Sequence, residues 1–324
     1  MENTLLLVCL YVDDLIIASD SQDQIMEFKE HMKKDFEMTD MGVLHYFLGM
    51  EINYDQERII LSQHKYAKML LDRFRMTNCS IASNPMEYGL KLSKEDPEED
   101  VNPNAYRSLV GSLMYLKNSR PDIMFTVSKV SRFMEQPKRN HWEAGKRILR
   151  YVKGTLDHGI TYTKTKEIAL TGYSDSDYAV NLDDSKSTSG YVFHLGSGAI
   201  SWQSKKQKVV ALSSTEAEYI ALSMPGCQAI WLRGIIEELK FQIKHSLTLY
   251  CDNKSTISLA KDPVYHDKSK HIRVKYHFIR DLIKTEDVRI KFYATKEQMA
   301  DIFTKALQQK DFIRLKKLLN IDPV

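Results

Sequence analysis

The order of short strands and helices after about residue 165 constrains the fold of this chain more than any other feature. Strand-like segments separated by polar turns come first and predict an antiparallel meander: IALTGYSD, YVFHLG, AISWQ and KVVALS. Helical segments then alternate with two more strands, LTLYCD and VRIKFY. A right-handed helical crossover should return LTLYCD parallel to IALTGYSD. We therefore predict an α/β fold, mixed α+β, with a mixed five-stranded sheet and flanking helices.

The helices of this half are predicted from the spacing of apolar residues. Two are expected after the meander, from about Ser214 to Met224 and from Gln228 to Leu239. Further helices should begin near Lys254, Ile272 and Lys296.

The first 165 residues also mix strands and helices. The apolar runs LLLVCLYV and LIIAS flank Asp13 and Asp14, a pattern that predicts a β-hairpin with an acidic turn. Helices are expected near Gln22 to Phe36 and Gln63 to Phe74, separated by the strand-like segments YFLGMEINY and RIILS.

An acidic stretch interrupts this half of the chain. SKEDPEED, Ser93 to Asp100, carries five acidic residues and a proline, so we expect a linker or exposed loop. Tyr106 to Lys153 is mainly helical in pattern, and Gly154 is a suitable helix stop.

Two acidic residues close neighbouring strands of the predicted sheet. Asp175 and Asp252 each end a strand at the edge where α/β sheets bind ligands. Two divalent ions about 4 Å apart can drive phosphodiester hydrolysis, and about four carboxylates are needed to hold them. The alternative is that Asp175, Asp177 and Asp252 are turn or helix-capping residues, which is their commonest use.

Helices must supply the remaining carboxylates. Ser213 and Glu216 fit a capping box, so Glu218 is the better ligand candidate, although the helical wheel places both glutamates on the rims of the apolar stripe. Asp301 is the fourth candidate, after a second capping box formed by Thr295 and Gln298. Its wheel position is opposite the apolar stripe, where an acidic residue is most often only solvated.

Long blocks of the sequence resemble one known family. GYSDSDYA, the block from KSTSGYVFHLG to EYIALS, LYCDNKSTISLA and EQMADIFTKAL resemble the ribonuclease H domain of copia-type retrotransposon polyproteins. LLLVCLYVDDLIIASD, YFLGMEI, YRSLVGSLMYLKNSRPDI and WEAGKRILRYVKGT resemble the end of the palm, the thumb and the connection of the reverse transcriptase of that family. Several long blocks in the right order are more specific than a single acidic pair.

The resemblance implies a division of the chain into five parts. They are a remnant of the reverse transcriptase palm at 1–60, a thumb-like helical segment with the acidic linker at 61–100, a connection at 101–165, a ribonuclease H-like domain at 166–310 and a C-terminal tail at 311–324.

The resemblance also implies a reaction. It matches Asp175, Glu218, Asp252 and Asp301 to the four catalytic and metal-binding carboxylates, with two Mg²⁺ or Mn²⁺ ions as cofactors. The implied substrate is the RNA strand of an RNA–DNA hybrid. Where many ribonucleases H have Gly after the first aspartate, this chain has Ser176 and then Asp177, which either competes for metal or caps the turn. Cellular relatives often carry a histidine before the last helix; residues 293–296 contain none, so we expect slower turnover.

Asp13 and Asp14 match the YVDD element of reverse transcriptases, where adjacent acids help to bind two magnesium ions. Taken alone, an Asp-Asp turn is more often only solvated. Only twelve residues precede Asp13, which leaves no room for the fingers or the upstream metal-binding aspartate of this family. We therefore expect that the chain does not copy a template alone and that the missing N-terminal part of the polyprotein, or another subunit, completes it.

Basic residues are candidates for contacts to phosphate. The overall balance of 46 Lys and Arg against 43 Asp and Glu is close to neutral and indicates no partner by itself. Lys146, Arg150 and Lys153 share one helical face, which is either solvated or in contact with a backbone phosphate. The other candidates are Lys205, Lys206, His271 and Arg273.

Cysteines and apolar runs bear on the compartment. The four cysteines are widely spaced and form no CxxC pair, so we expect neither a disulfide framework nor a zinc site. The longest apolar run, Leu5 to Val12, is far short of the roughly 20 residues needed to cross a bilayer. We expect an intracellular protein, cytoplasmic or nuclear, that is neither secreted nor membrane-bound. The alternative to a nuclease is a non-catalytic nucleic-acid-binding relic or a recruited subunit.

Overall fold

The computed structural model describes residues 5–164, 169–241, 246–261, 272 and 274–324. The chain divides into two compact units, Met1–Leu48 and Gly49–Val324. Each unit has its own elements and is described by itself.

The smaller unit is built on the predicted hairpin. Strand β1 (Leu6–Tyr11) pairs antiparallel with β2 (Asp14–Ser19) across a tight turn, which confirms the prediction. Helix α1 (Gln22–Asp35) follows, and its N-cap Ser21 accepts a hydrogen bond from the backbone N–H of Gln24. The unit ends near the short strand β3 (Tyr46–Phe47).

The larger unit begins with an antiparallel sheet. Strand β4 (Met50–Tyr54) pairs with β5 (Arg58–Ser62), and β5 pairs in turn with β6 (His158–Thr163). The far end of the chain supplies the next strand, since the terminal strand Ile321–Pro323 pairs antiparallel with β6. The segment that we assign to a C-terminal tail thus contributes a strand to this sheet.

Four helices cover this part of the unit. They are α2 (His64–Arg73), α3 (Pro103–Leu116), α4 (Met124–Val130) and α5 (Arg139–Lys153). Their starts and stops follow from the local sequence: Asn102 caps α3 by accepting from two backbone N–H groups, and α5 ends at Gly154. Fully buried Leu109, Ile148 and Leu149 belong to the core between the helices. The acidic stretch before α3 is mostly exposed, as predicted.

The five-stranded sheet has the predicted mixed topology. Its strands are β7 (Leu170–Ser176), β8 (Thr188–Leu195), β9 (Gly198–Lys206), β10 (Leu247–Cys251) and β11 (Val288–Phe292), in the order β11-β10-β7-β8-β9. The meander β7-β8-β9 is antiparallel, and β10 is parallel to both β7 and β11. The predicted fold class and the parallel return of β10 beside β7 are therefore confirmed.

Helices complete this half of the unit. Helix α6 (Ser214–Glu238) lies against β7 and β8, and the second apolar core of the unit includes its buried Tyr219 and Leu222. Among the residues that the structure describes here, three further α-helices follow: α7 (Lys254–Lys261), α8 (Phe278–Lys284) and α9 (Gln309–Leu318). The terminal strand Ile321–Pro323 is β12.

Three details of the predicted elements are wrong. The two helices expected from Ser214 to Leu239 are one helix that contains Pro225, because buried side chains on both sides of the proline keep it packed on the sheet. KVVALS is not a strand: after β9 the Gln207 N–H donates to the carbonyl of Ser187, and the chain turns towards α6. The helix expected from Lys296 is instead a pair of 3₁₀ turns, because extended Gln298 separates them.

In the ranges that the structure describes, no helix combines the length and the hydropathy that a membrane span requires.

Candidate active site

The parallel pairing of β7 and β10 places two of the predicted acids side by side. Tyr173 lies opposite Tyr250 in the register, so two residues later Asp175 and Asp252 reach the same edge of the sheet. Asp175 is 2% exposed, whereas Asp252 is half-buried. Asp175 and Asp252 therefore lie at the same end of neighbouring parallel strands, as predicted.

Helix α6 distinguishes the two glutamates that the helical wheel left unresolved. The carboxylate of Glu218 faces β7, where its Oε1 accepts a hydrogen bond of 3.2 Å from the backbone N–H of Ser176. Its Oε2 is buried without a hydrogen-bond partner. Glu216 instead accepts from the backbone N–H of Leu212 at 2.9 Å, while Ser213 caps the N–H of Glu216. The structural role therefore belongs to Glu216, and Glu218 belongs to the acidic cluster.

A 3₁₀ turn, Met299–Phe303, brings the fourth acid to the cluster. Gln298 fixes this turn: its side-chain amide donates to the carbonyl of Ser174 in β7 at 3.1 Å, and its Oε1 accepts from the backbone N–H of Ala300 at 3.2 Å. The capping box expected from Thr295 is replaced by these contacts. Asp301 consequently lies beside Asp175, although the helical wheel had placed it in solvent.

Thr304 and Lys305 complete the cluster, and sequence reasoning did not identify either of them. The hydroxyl of buried Thr304 donates a hydrogen bond to Asp175 Oδ2. The ammonium of Lys305 lies 2.9 Å from Asp301 Oδ1 and 3.7 Å from Asp175 Oδ2. The spacing of four residues between Asp301 and Lys305 was a usable signal, because such pairs meet on a helical turn.

Mutual repulsion and burial raise the pKa values of the cluster. Burial, followed by the charges of Asp175 and Asp252, raises the pKa of Glu218 well above its ordinary value. Burial and Asp175 likewise raise the pKa of Asp252. The pKa of Asp301 rises to about 7 for the same two reasons, although Lys305 opposes the shift. Such a cluster favours a cation that can neutralise it.

The residues of the cluster fit divalent metal ions. Glu218, Cys251 and Asp252 each offer a ligand atom, and these atoms lie within 4.8 Å of one another. A buried carboxylate oxygen without a partner, Glu218 Oε2, is costly unless a cation or proton satisfies it. Carboxylate oxygens are the ligands that Mg²⁺ and Mn²⁺ prefer.

Asp177, whose role the sequence left open, is engaged in its turn. Its carboxylate accepts a hydrogen bond from the backbone N–H of Thr188, and its own N–H donates to the carbonyl of Thr188. Burial raises the pKa of Asp177 to about 6, and the nearby cations of Arg132 and Lys129 oppose the shift. These contacts correspond to the turn-capping alternative.

The basic residues of α5 are used within the fold. Arg150 Nε donates to the carbonyl of Ser80 at 3.0 Å, and Lys153 Nζ donates to that of Cys79 at 2.5 Å. Lys146 lies 3.7 Å from the carboxylate of Glu143 on the same helix.

The remaining predicted residues are on β9, at the hairpin of the smaller unit, or outside the described ranges. Lys206 pairs with Asp184 at 2.9 Å, and Lys205 is exposed on β9. Asp13 and Asp14 are exposed at the hairpin turn of the smaller unit. His271 and Arg273 lie outside the residues that the structure describes.

The fold and the site define a mixed α/β protein in which one edge of a five-stranded sheet gathers four acidic side chains. The model of the reverse transcriptase (RNA-dependent DNA polymerase) family matches residues 1–88. The chain is 41% identical over 329 residues to the retrovirus-related Pol polyprotein from transposon TNT 1-94 of Nicotiana tabacum. It is 34% identical over 221 residues to the putative transposon Ty5-1 protein of Saccharomyces cerevisiae and covers 71% of that protein. The chain belongs to the copia-type retrotransposon Pol polyprotein family.

The fraction of each similar protein that the alignment with this chain covers differs widely. The alignment to the tobacco polyprotein takes in 99% of this chain and 25% of that protein, so the chain spans about a quarter of its length. Among solved structures, ribonuclease H1 from Halobacterium salinarum aligns with 42% of this chain and 94% of its own, at 15% identity and a TM-score of 0.30.

Proposed function

We propose that the acidic cluster is the active site of a ribonuclease H, which cleaves the RNA strand of RNA–DNA hybrids. The observation that carries the proposal is the convergence of four carboxylates from separate elements, with Glu218 Oε2 buried and without a hydrogen-bond partner. Burial and mutual repulsion raise the pKa values of these acids, a pattern typical of functional sites that bind a cation. The proposed ligands are Asp175, Glu218, Asp252 and Asp301.

Two Mg²⁺ or Mn²⁺ ions are the cofactors that we propose, and when bound they would activate the attacking water and stabilise the departing 3′ oxygen. The chain itself fixes the ligands. Thr304 orients Asp175 through its hydroxyl, and the Ser176 N–H orients Glu218 so that Oε2 stays available. Lys305 offsets part of the charge of Asp175 and Asp301, which reduces the repulsion between the site and a phosphate backbone.

We propose the five-part division for the whole chain, with the palm remnant at 1–60, the thumb and linker at 61–100, the connection at 101–165, the ribonuclease H-like domain at 166–310 and the tail at 311–324. The reverse transcriptase match to residues 1–88 supports the first assignments. In this division Asp13 and Asp14 belong to a polymerase metal site that another segment of a polyprotein would complete. Lys205, His271 and Arg273 are proposed phosphate contacts to the hybrid.

A matched pair of variants tests the nuclease. The purified chain is incubated with a labelled RNA–DNA hybrid and Mg²⁺ or Mn²⁺, with and without chelator. We expect metal-dependent cleavage that Glu218→Gln and Asp252→Asn abolish. Glu216→Gln, two residues away on the same helix, should keep the activity, because Glu216 bonds a backbone N–H rather than the cluster.

Two results would contradict the proposal. Equal cleavage by Glu218→Gln and Glu216→Gln would show that the cluster does not perform the reaction. Salt-sensitive binding of the hybrid by the wild type without metal-dependent cleavage would favour a non-catalytic nucleic-acid-binding protein.

A further inference from the structure

A thiol adjoins the acidic cluster. Cys251 is the last residue of β10, is fully buried, and offers its Sγ within 4.8 Å of ligand atoms of Glu218 and Asp252. The cysteine spacing in the sequence predicts no zinc site, because such motifs detect only cysteines that are close together along the chain. The fold instead combines one thiol with carboxylates from α6 and from the end of β10.

We propose that Cys251, Glu218 and Asp252 form a binding site for a thiophilic divalent cation such as Zn²⁺ or Cd²⁺. Zinc accepts sulfur and oxygen ligands together, in a tetrahedral arrangement with water in the open position. Mg²⁺ demands oxygen ligands, so the thiol contributes nothing to its binding. The sulfur atom therefore changes which ions the cluster prefers.

Glu218 provides the second observation for this site. Glu218 is 6% exposed, and its Oε2 is buried with no hydrogen-bond partner. A carboxylate oxygen of Glu218 and the Sγ of Cys251 lie within 4.8 Å of each other. Glu218 thus combines a buried oxygen that has no partner with closeness to a thiol and a second carboxylate, which neither the lone thiol nor the acids offer alone.

The geometry requires only a small contraction. The donor atoms around one tetrahedral zinc ion lie within about 4 Å of one another. The ligand atoms of Glu218, Cys251 and Asp252 lie within 4.8 Å of one another. Binding forms a metal–sulfur bond and breaks the S–H bond of Cys251, and the proton leaves to solvent.

The consequence is inhibition. An ion held by Cys251 withholds Glu218 and Asp252 from Mg²⁺, so Zn²⁺ should inhibit the nuclease. This consequence rests on the proposed function, whereas the binding site itself does not. The other three cysteines could also bind a thiophilic ion and must be removed in a test. Cys9 and Cys227 are exposed, and Cys79 is half-buried.

Cadmium binding tests the site directly. A full-length variant with Cys9→Ser, Cys79→Ser and Cys227→Ser keeps Cys251 as its sole thiol, and it is titrated with Cd²⁺ while the ultraviolet thiolate-to-cadmium charge-transfer band is recorded. We expect one saturable site per chain. Adding Cys251→Ser should remove the band, and adding Glu218→Gln should weaken Cd²⁺ binding roughly tenfold or more. Adding Glu216→Gln should leave the affinity unchanged, and circular dichroism verifies that each variant is folded.

The outcomes separate this inference from the proposed function. No band with Cys251 as the sole thiol, or an affinity that Glu218→Gln leaves unchanged, would overturn the site. In a parallel assay of hybrid cleavage in Mg²⁺, the zinc concentration for half-inhibition, measured against each variant's own uninhibited rate, should rise roughly tenfold in Cys251→Ser. A protein that binds Cd²⁺ as expected but cleaves no hybrid would refute the nuclease and retain the metal site.

Discussion

The side-chain amide of Gln298 donates a hydrogen bond of 3.1 Å to the backbone carbonyl of Ser174, one residue before Asp175. Because Gln298 also accepts from the N–H of Ala300, this fully buried side chain joins the turn that carries Asp301 to the strand that carries Asp175. The distance between two of the proposed ligands thus depends on a residue that is not itself a ligand.

Gln298→Ala should therefore reduce both stability and activity. The change leaves a buried carbonyl and a buried N–H unpaired, each at a cost of about 1 to 3 kcal/mol. Urea unfolding measures the stability, and hybrid cleavage measures the activity. Gln298→Glu should be at least as destabilising as Gln298→Ala, because it places a carboxylate in the buried interior against the carbonyl of Ser174. An alanine variant as stable and active as the wild type would show that Asp301 is positioned by other contacts.

Gly190→Ala should disturb the same turn from the opposite side. Gly190 pairs with Asp175 across β7 and β8, and a Cβ at this position would lie 2.6 Å from Phe303 Cβ and 2.8 Å from Thr304 Cγ2. We expect lower stability and slower metal-dependent cleavage, because Thr304 must shift away from Asp175. Gly234→Ala on α6 is the matched control: nothing lies within 4 Å of its Cβ, and helical alanine should stabilise by about 0.5 to 1 kcal/mol. Cleavage by Gly190→Ala at the rate of this control would contradict the expectation.

The sequence predicted the sheet and half of the site well, for a physical reason. Asp175 and Asp252 end strands, so the parallel pairing of β7 and β10 alone brings them together. Alternation of apolar residues and turn signals is a local property, and the mixed sheet follows from it together with the handedness of crossovers.

Local patterns failed where tertiary contacts decide. The helical wheel assigned Asp301 to solvent because it assumed an α-helix, whereas the contacts of Gln298 with Ser174 and Ala300 impose a 3₁₀ turn. The choice between Glu216 and Glu218 likewise depended on where β7 lies relative to α6. The spacing of apolar residues within α6 carries no information on that placement. Cys251 was set aside because no second cysteine lies near it in the sequence, and Glu218 is distant from it along the chain.

His194 should make the fold sensitive to acid. This residue of β8 is buried, and burial lowers its pKa to about 4 from an ordinary value of 6.5. The native state therefore keeps the ring neutral, whereas the unfolded chain protonates it, so stability present above pH 6.5 is lost as the pH falls towards 4. The loss is on the order of 3 kcal/mol. The difference in unfolding free energy between wild type and His194→Phe, measured from pH 7.5 to 4.5, should change by that amount; a constant difference would contradict the shift.

Arg120→Met should be among the most damaging single changes in the helical part of the larger unit. The guanidinium of Arg120 bonds Asp122 through Nε and Nη2, and Asp122 also accepts from the Tyr151 hydroxyl at 2.6 Å, all within the buried interior. Removing the cation leaves a buried carboxylate without its charge partner, which costs about 3 to 5 kcal/mol. Removing both charges in Arg120→Met/Asp122→Leu should cost less than the single change, because no ion then remains to be desolvated. The midpoints of urea unfolding of the two variants give the comparison. A double variant that is less stable than Arg120→Met would contradict the expectation. It would show that Asp122 stabilises the fold through its hydrogen bond with Tyr151 even without Arg120.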